Sequence, residues 1–163
     1  CVIDESFCDT SPDQSLIELA SRPGVVVLKS FGKFWGLAGL RLGFAIRDPY
    51  IIARLRETLG PWHVSGPALE IGAEALADPD WADETRARLT SDAIRLDQLL
   101  TKQGAQTVGG TPLFRLYEVE NALDAQHHLA KSRIWSRVFP YSKTWLRLGM
   151  PHPDQWPSLE AAF

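Results

Sequence analysis

The tetrapeptide Val25-Val26-Val27-Leu28 is apolar and mostly β-branched, and glycines follow it closely at positions 32, 36 and 39. A strand with apolar residues on both faces needs cover on both sides, as in the central strands of α/β proteins. The segment beyond it, Ser30-Phe31-Gly32-Lys33-Phe34-Trp35-Gly36-Leu37-Ala38-Gly39-Leu40-Arg41, combines a hydroxyl, an amine and a guanidinium with glycine turns. It begins just past the C-terminal end of the strand, the edge at which open α/β sheets bind their ligands.

The neighbouring pattern agrees with an α/β arrangement. Residues 1–4 read as a short strand ending at Asp4. Residues 15–21 have a helical pattern after the turn at Asp9–Asp13, and residues 40–46 read as a third strand. Asp48-Pro49 opens a helix that Gly60-Pro61 stops, and Ser65-Gly66-Pro67 opens another. A long helical pattern runs from about Trp81 to Gln103. Beyond it the sequence turns α+β. Strands are expected at 105–108, 113–117, 133–138 (an edge strand) and 145–149, and helices at 122–131 and 153–162. The expected organisation is residues 1–80 as part of a larger sheet domain, 81–103 as a connecting helix, and 104–163 as a small α+β domain.

Of the 163 residues 45% are hydrophobic, enough for a core. With 17 Lys+Arg against 20 Asp+Glu, the net charge of −3 argues against a general nucleic-acid or anionic-membrane binder. The two cysteines, Cys1 and Cys8, form no disulfide framework or Cys-x-x-Cys metal spacing, and no metal site is expected. No apolar run reaches the roughly 18 residues of a membrane span, and no signal peptide is visible. The expected address is the cytoplasm. Cys-Val-Ile-Asp resembles the interior of a strand more than a chain start, so further residues are expected upstream.

Three charged residues stand out. Lys33 lies in the glycine-rich loop, Asp4 ends the first strand, and Arg147 sits within an apolar strand. Each has a plain structural explanation: a solvated loop lysine, a strand-end cap, a solvent-facing arginine. One chemistry also unites them. A lysine forms a Schiff base with a carbonyl cofactor. Pyridoxal phosphate needs such a lysine, a carboxylate facing its ring nitrogen, and an anion site for its phosphate. Asp4 would serve the nitrogen, and Ser30 and Arg41 the phosphate. Arg147 would hold a substrate carboxylate through its two-pronged donor geometry.

The strings VIDESFCD (2–9), VVVLKSFGKFWGLAGLRLGFAI (25–46), LGPWHVSGPALEIG (59–72) and SRIWSRVFPYSKTWLRLGMP (132–151) resemble the C-terminal half of fold-type I pyridoxal-phosphate enzymes, the class I/II aminotransferase superfamily. Within it the likeness is to the threonine-phosphate decarboxylase group of cobalamin biosynthesis, which is itself similar to histidinol-phosphate aminotransferases. The resemblance implies a pyridoxal-phosphate transferase fold and makes Lys33 the Schiff-base lysine. It makes Asp4 the partner of the ring nitrogen, Ser30 and Arg41 phosphate ligands, and Arg147 the ligand of the substrate α-carboxylate. Phe7 stands where many aminotransferases carry a tyrosine whose hydroxyl bonds the cofactor's ring oxygen. That departure weakens a plain transaminase reading and matches the decarboxylase branch.

The resemblance also implies an N-terminal half carrying further cofactor and substrate contacts, a homodimeric parent, and a small amino-acid phosphate as substrate. The 163 residues alone are expected to be inactive and to expose apolar faces. Aminotransferase activity and a noncatalytic interaction module are the alternatives. Other residues have blander readings: His127 and His128 as a surface pair, His63 near the pocket at most, Trp35 packed beneath the cofactor loop, and Arg133 and Arg137 as charges on an edge strand, with approach to a substrate phosphate as their alternative.

Overall fold

A computed structural model describes residues 1–163. They form two compact units, Cys1–Asp83 and Glu84–Phe163. No helix is long and apolar enough to cross a membrane.

The first unit is built on a three-stranded sheet of β1 (Val2–Asp4), β2 (Val26–Ser30) and β3 (Gly43–Ile46), in that order. β1 and β2 are parallel, with Asp4 opposite Leu28, whereas β3 is antiparallel to β2, with Ser30 opposite Gly43. The C-terminal ends of β1 and β2 and the N-terminal end of β3 therefore share one edge. Side chains alternate across the sheet. Asp4, Leu28 and Ser30 share one face, and Ile3, Val27 and Lys29 share the other. Val27 is completely buried, while Val26 and Leu28 are half-buried.

Residues 15–21 do not form the expected helix. The β1–β2 connection is three short 3₁₀ turns, Cys8–Thr10, Pro12–Gln14 and Ile17–Ser21. The buried Glu5 carboxylate accepts from the Leu16 N–H (2.6 Å) and the Ser15 hydroxyl (2.8 Å), which anchors this segment in a non-helical path. The third strand is shorter than expected. Ala38–Leu40 is a 3₁₀ turn and Arg41 is left-handed (φ 55°), so the extended chain resumes only past Leu42, which is buried.

Helices α1 (Pro49–Leu59) and α2 (Gly66–Leu76) follow their sequence signals. Asp48 caps α1 by accepting from the N–H groups of Tyr50 (3.1 Å) and Ile51 (3.3 Å), and Ser65 caps α2 through Ala68 N–H (3.3 Å). α2 packs on Leu42 and Phe31 at Gly72, where an added Cβ would collide with the end of the Leu42 side chain. The long helix α3 (Pro79–Lys102) ends at Gly104, whose φ of +85° lets Ala105 N–H reach back to Leu100 O (3.1 Å).

The second unit carries an antiparallel sheet, β4 (Gln106–Thr111), β5 (Phe114–Glu118), β6 (Arg137–Phe139) and β7 (Ser142–Gly149), ordered β4-β5-β7-β6. α4 (Ala122–Lys131), capped by Asn121, links β5 to β6, and α5 (Trp156–Glu160) closes the chain. Leu96, Leu100, Tyr117, Leu129, Leu146, Leu148, Trp156 and Leu159 make one buried core. β4 runs through Gly109 and Gly110 to Thr111, longer than the expected 105–108. β6 starts at Arg137 rather than 133, since left-handed Arg133 (φ 61°) belongs to the turn that ends α4, where Ile134 N–H returns to Leu129 O (3.0 Å).

Asp97 ties the helix to the sheet. Its carboxylate takes two bonds from Arg115 (2.9 and 2.7 Å) and one from the Tyr117 hydroxyl (2.7 Å). Burial first, then the bond to Asp97, pushes the Tyr117 phenol far above its ordinary range, so it remains a donor.

Candidate active site

The shared edge of the first sheet assembles most of the residues singled out in the sequence. Asp4 ends β1 and is exposed. Its Oδ1 accepts both the Ser6 hydroxyl (2.5 Å) and the Ser6 N–H (2.9 Å). The Ser6 hydroxyl, then its N–H, holds the carboxyl below its ordinary range, and the charge of Lys33 adds a smaller pull in that direction. The Asp4 Oδ2 is left for a partner that carries a proton or a positive charge.

Ser30 ends β2 on the same face as Asp4, and its Oγ accepts from Gly32 N–H (3.1 Å). That short-range bond starts the turn that carries Lys33. Lys33 is exposed, and its Nζ stands 5.7 Å from the centre of the Phe7 ring. This geometry brings the lysine together with a residue three positions past β1, as a cation over an aromatic face.

Arg41 precedes β3 at this edge. Its left-handed backbone (φ 55°) is costly for a residue bearing a Cβ, and its guanidinium donates to Ala38 O (3.1 Å). Such backbone conformations in non-glycine residues concentrate at ligand sites.

The donor set suits pyridoxal phosphate. A carboxylate held ionised answers a protonated ring nitrogen, an exposed primary amine answers an aldehyde, and a hydroxyl and a guanidinium answer a phosphate. The glycines at 36 and 39 have open space where a Cβ would stand.

Arg147 lies in the second unit, on β7, half-buried and with its guanidinium 4.8 Å from the Phe114 ring centre. Directly across the ladder from it is Arg137 of β6. Paired residues of antiparallel strands share a face, and like charges placed opposite are unfavourable without an anion between them. Each guanidinium lies against an aromatic ring, Arg137 5.3 Å from the centre of Phe139, and the paired positive charges favour an anion nearby. The sequence offers Arg137 as an edge-strand charge that could approach a substrate phosphate; its pairing with Arg147 is not visible before the strands are in register.

Ser6, Asp9 and Lys29 also escaped notice in the sequence. Asp9 accepts from Lys29 Nζ (2.6 Å) and from Trp35 Nε1 (3.0 Å), and the buried Glu5 lies 3.4 Å from Lys29 Nζ. These groups sit beneath the Lys33 loop, on the other side of the sheet from Asp4 and Ser30. Trp35 packs there as expected, stacked on Phe31 (5.2 Å between ring centres) and on Trp81 (5.6 Å). His63 bonds only its local turn, through Gly60 O (2.8 Å), whereas His128 reaches Ala162 O (2.7 Å) and pins the end of the chain.

The chain is similar to known proteins along nearly its whole length. The threonine-phosphate decarboxylase of Pseudomonas aeruginosa is 40% identical over 162 residues, covering 99% of this chain and 49% of that protein. That of a Sinorhizobium species is 42% identical over 154 residues, covering 94% of this chain and 45% of that protein. The crystal structure of histidinol-phosphate aminotransferase from Sinorhizobium meliloti in complex with pyridoxal-5'-phosphate superposes with a TM-score of 0.83 at 21% identity, over 99% of this chain and 47% of that one. The chain thus spans about half the length of the curated relatives it matches. The model of the family described as aminotransferase class I and II matches residues 1–157, and this chain belongs to that family.

Proposed function

We propose that the full-length protein is a pyridoxal-phosphate-dependent lyase that decarboxylates L-threonine O-3-phosphate to (R)-1-amino-2-propanol O-2-phosphate, for the aminopropanol linker of cobalamin. The observation that carries this reading is the Lys33 amine standing over Phe7 at the sheet edge that Asp4 and Ser30 share. An aromatic without a hydroxyl at position 7 fits the decarboxylase branch, and both threonine-phosphate decarboxylases above are at least 40% identical.

When bound, pyridoxal phosphate supplies an electron-accepting ring for the pair of electrons left by the departing carbon dioxide. In this reading Lys33 Nζ is the point of attachment. Ionised Asp4 keeps the ring nitrogen protonated through its Oδ2. Ser30 and Arg41 hold the phosphate. Arg147, with Arg137 opposite it on the ladder, would bind the substrate carboxylate. As a free amine, Lys33 would be the general acid that returns a proton to the substrate α-carbon. Homodimerisation and a cytoplasmic setting belong to the same reading.

The test is borohydride reduction of the full-length protein with pyridoxal phosphate, followed by peptide mapping and a product assay. A phosphopyridoxyl mass on Lys33 and carbon dioxide release from threonine phosphate are expected, and Lys33→Ala abolishes both. An unmodified Lys33 peptide from folded wild-type protein overturns the cofactor assignment. An adduct with transfer of the amine to a keto acid, and no carbon dioxide, would establish a histidinol-phosphate-type aminotransferase instead, a reading favoured by the family's name.

A further inference from the structure

On the covered side of the sheet, a polar chain extends the β1–β2 pairing to the β1–β2 connection and to the Lys33 loop. Glu5 is only 5% exposed, and its two oxygens take the Leu16 N–H and the Ser15 hydroxyl. Lys29, centred in this chain, lies 3.4 Å from Glu5 Oε2 and donates to Asp9 Oδ1 at 2.6 Å. The second oxygen of Asp9 accepts the indole N–H of Trp35 at 3.0 Å. Glu5 directly follows Asp4, Lys29 directly precedes Ser30, and Trp35 is two residues past Lys33. Each link is thus covalently adjacent or nearly so to a residue at the exposed edge.

Trp35 is the only link inside the Lys33 loop. Its ring is stacked between Phe31 and Trp81, within 11° and 18° of parallel, and meets Phe34 edge-on at 5.3 Å. Stacking fixes the plane of the indole but leaves sliding within the plane open. The bond to Asp9 removes that freedom. Glycines at 32 and 36 would otherwise let the loop shift.

We infer that Asp9 and Trp35, held by the Lys29–Glu5 pair, are positioning residues that set where the Lys33 amine stands relative to Asp4. This rests on Lys33 being the cofactor lysine. It adds that the lysine's placement is determined from beneath the sheet by a carboxylate touching neither cofactor nor substrate. A displacement of about 1 Å of a reacting group can cost as much as 10²-fold in rate, so a single loop bond is enough to matter.

The experiment compares full-length wild type with Trp35→Phe, Asp9→Leu and Asp9→Asn. Phenylalanine keeps a stacking ring and loses the N–H. Leucine removes the acceptor, and asparagine retains an oxygen for the indole while Glu5 still faces Lys29. Three quantities are read: the rate at which apoprotein forms the borohydride-trappable Lys33 adduct with pyridoxal phosphate, kcat and KM, and the melting temperature. Trp35→Phe and Asp9→Leu are expected to slow adduct formation and kcat by about tenfold, with KM changed less than about twofold. Asp9→Asn is expected to recover most of the loss. The inference is overturned if Trp35→Phe forms the adduct at the wild-type rate. It is also overturned if Asp9→Asn is as slow as Asp9→Leu, or if the slowing only follows a fall in melting temperature. An unmodified wild-type Lys33 would instead remove the cofactor reading beneath it, and the inference with it, an outcome visible before any variant is made.

Discussion

Ser6 directs both of its donors at one oxygen of Asp4. Because those bonds stabilise the charged form, removing the hydroxyl lets the carboxyl titrate closer to its ordinary range. In the full-length protein, Ser6→Ala is therefore expected to move the acidic limb of the pH–rate profile to higher pH, with the plateau rate little changed. A profile of kcat/KM over the acid range checks this; an unmoved limb would disconnect Asp4 from the reaction. The residues at this edge differ in how readily the sequence revealed them. Asp4, Ser30 and Lys33 follow from strand ends and glycine punctuation, which are local. Ser6 carries no signal beyond being a polar residue after a strand. The left-handed backbone of Arg41 has none at all, since such conformations are a habit of glycine.

Elements are held together here by ionic contacts between residues distant in sequence. The Glu5 carboxyl would be raised by burial alone. The bonds from Leu16, Ser15 and Lys29 outweigh that and leave it below its ordinary value. A depressed carboxyl contributes stability that is present above its unfolded pKa of about 4.3 and is lost as pH falls through the folded value. The melting temperature is accordingly expected to fall as pH is lowered from about 5 through the acid range, and Glu5→Gln should flatten that slope at the cost of some stability near neutrality. For α3 and β5 the link is Asp97. Asp97→Ala strands the Arg115 guanidinium and the buried Tyr117 hydroxyl, and should destabilise by about 2–4 kcal/mol in urea unfolding. A loss below about 1 kcal/mol would mean that water replaces the carboxylate. Helices with caps and breakers were legible in advance, from Asp48-Pro49, Ser65-Gly66-Pro67 and Gly104. The segment at 15–21 was not, because it is tied to Glu5, ten residues away, which accepts the Ser15 hydroxyl and the Leu16 N–H.

At the scale of the molecule the two units bury their surfaces unequally. The second has a continuous core from Leu96 to Ala162. In the first, α1 has no buried residue, and Tyr50, Leu59, Trp62, Leu69 and Leu76 are all more than half exposed, Trp62 at 93%. Apolar surface of this extent drives association. The 163-residue chain is expected to self-associate as its concentration rises in sedimentation velocity; a monomer at all concentrations would contradict this.

The wiring of the second sheet has a consequence in time. Its order β4-β5-β7-β6 consists of two hairpins, β4–β5 and β6–β7, with only α4 between them. In the first unit the parallel pair instead brings Val2 to Val26 across the whole 3₁₀ connection. Contacts between near neighbours in sequence form fastest, since little chain entropy is lost in closing short loops. The β4–β5 and β6–β7 hairpins are thus equipped to form before the β5–β7 ladder that joins them, which must bring Phe114 to Gly149 and Glu118 to Trp145. Arg137 and Arg147 face each other within one of those hairpins, so their pairing can be in place before the sheet around it is complete.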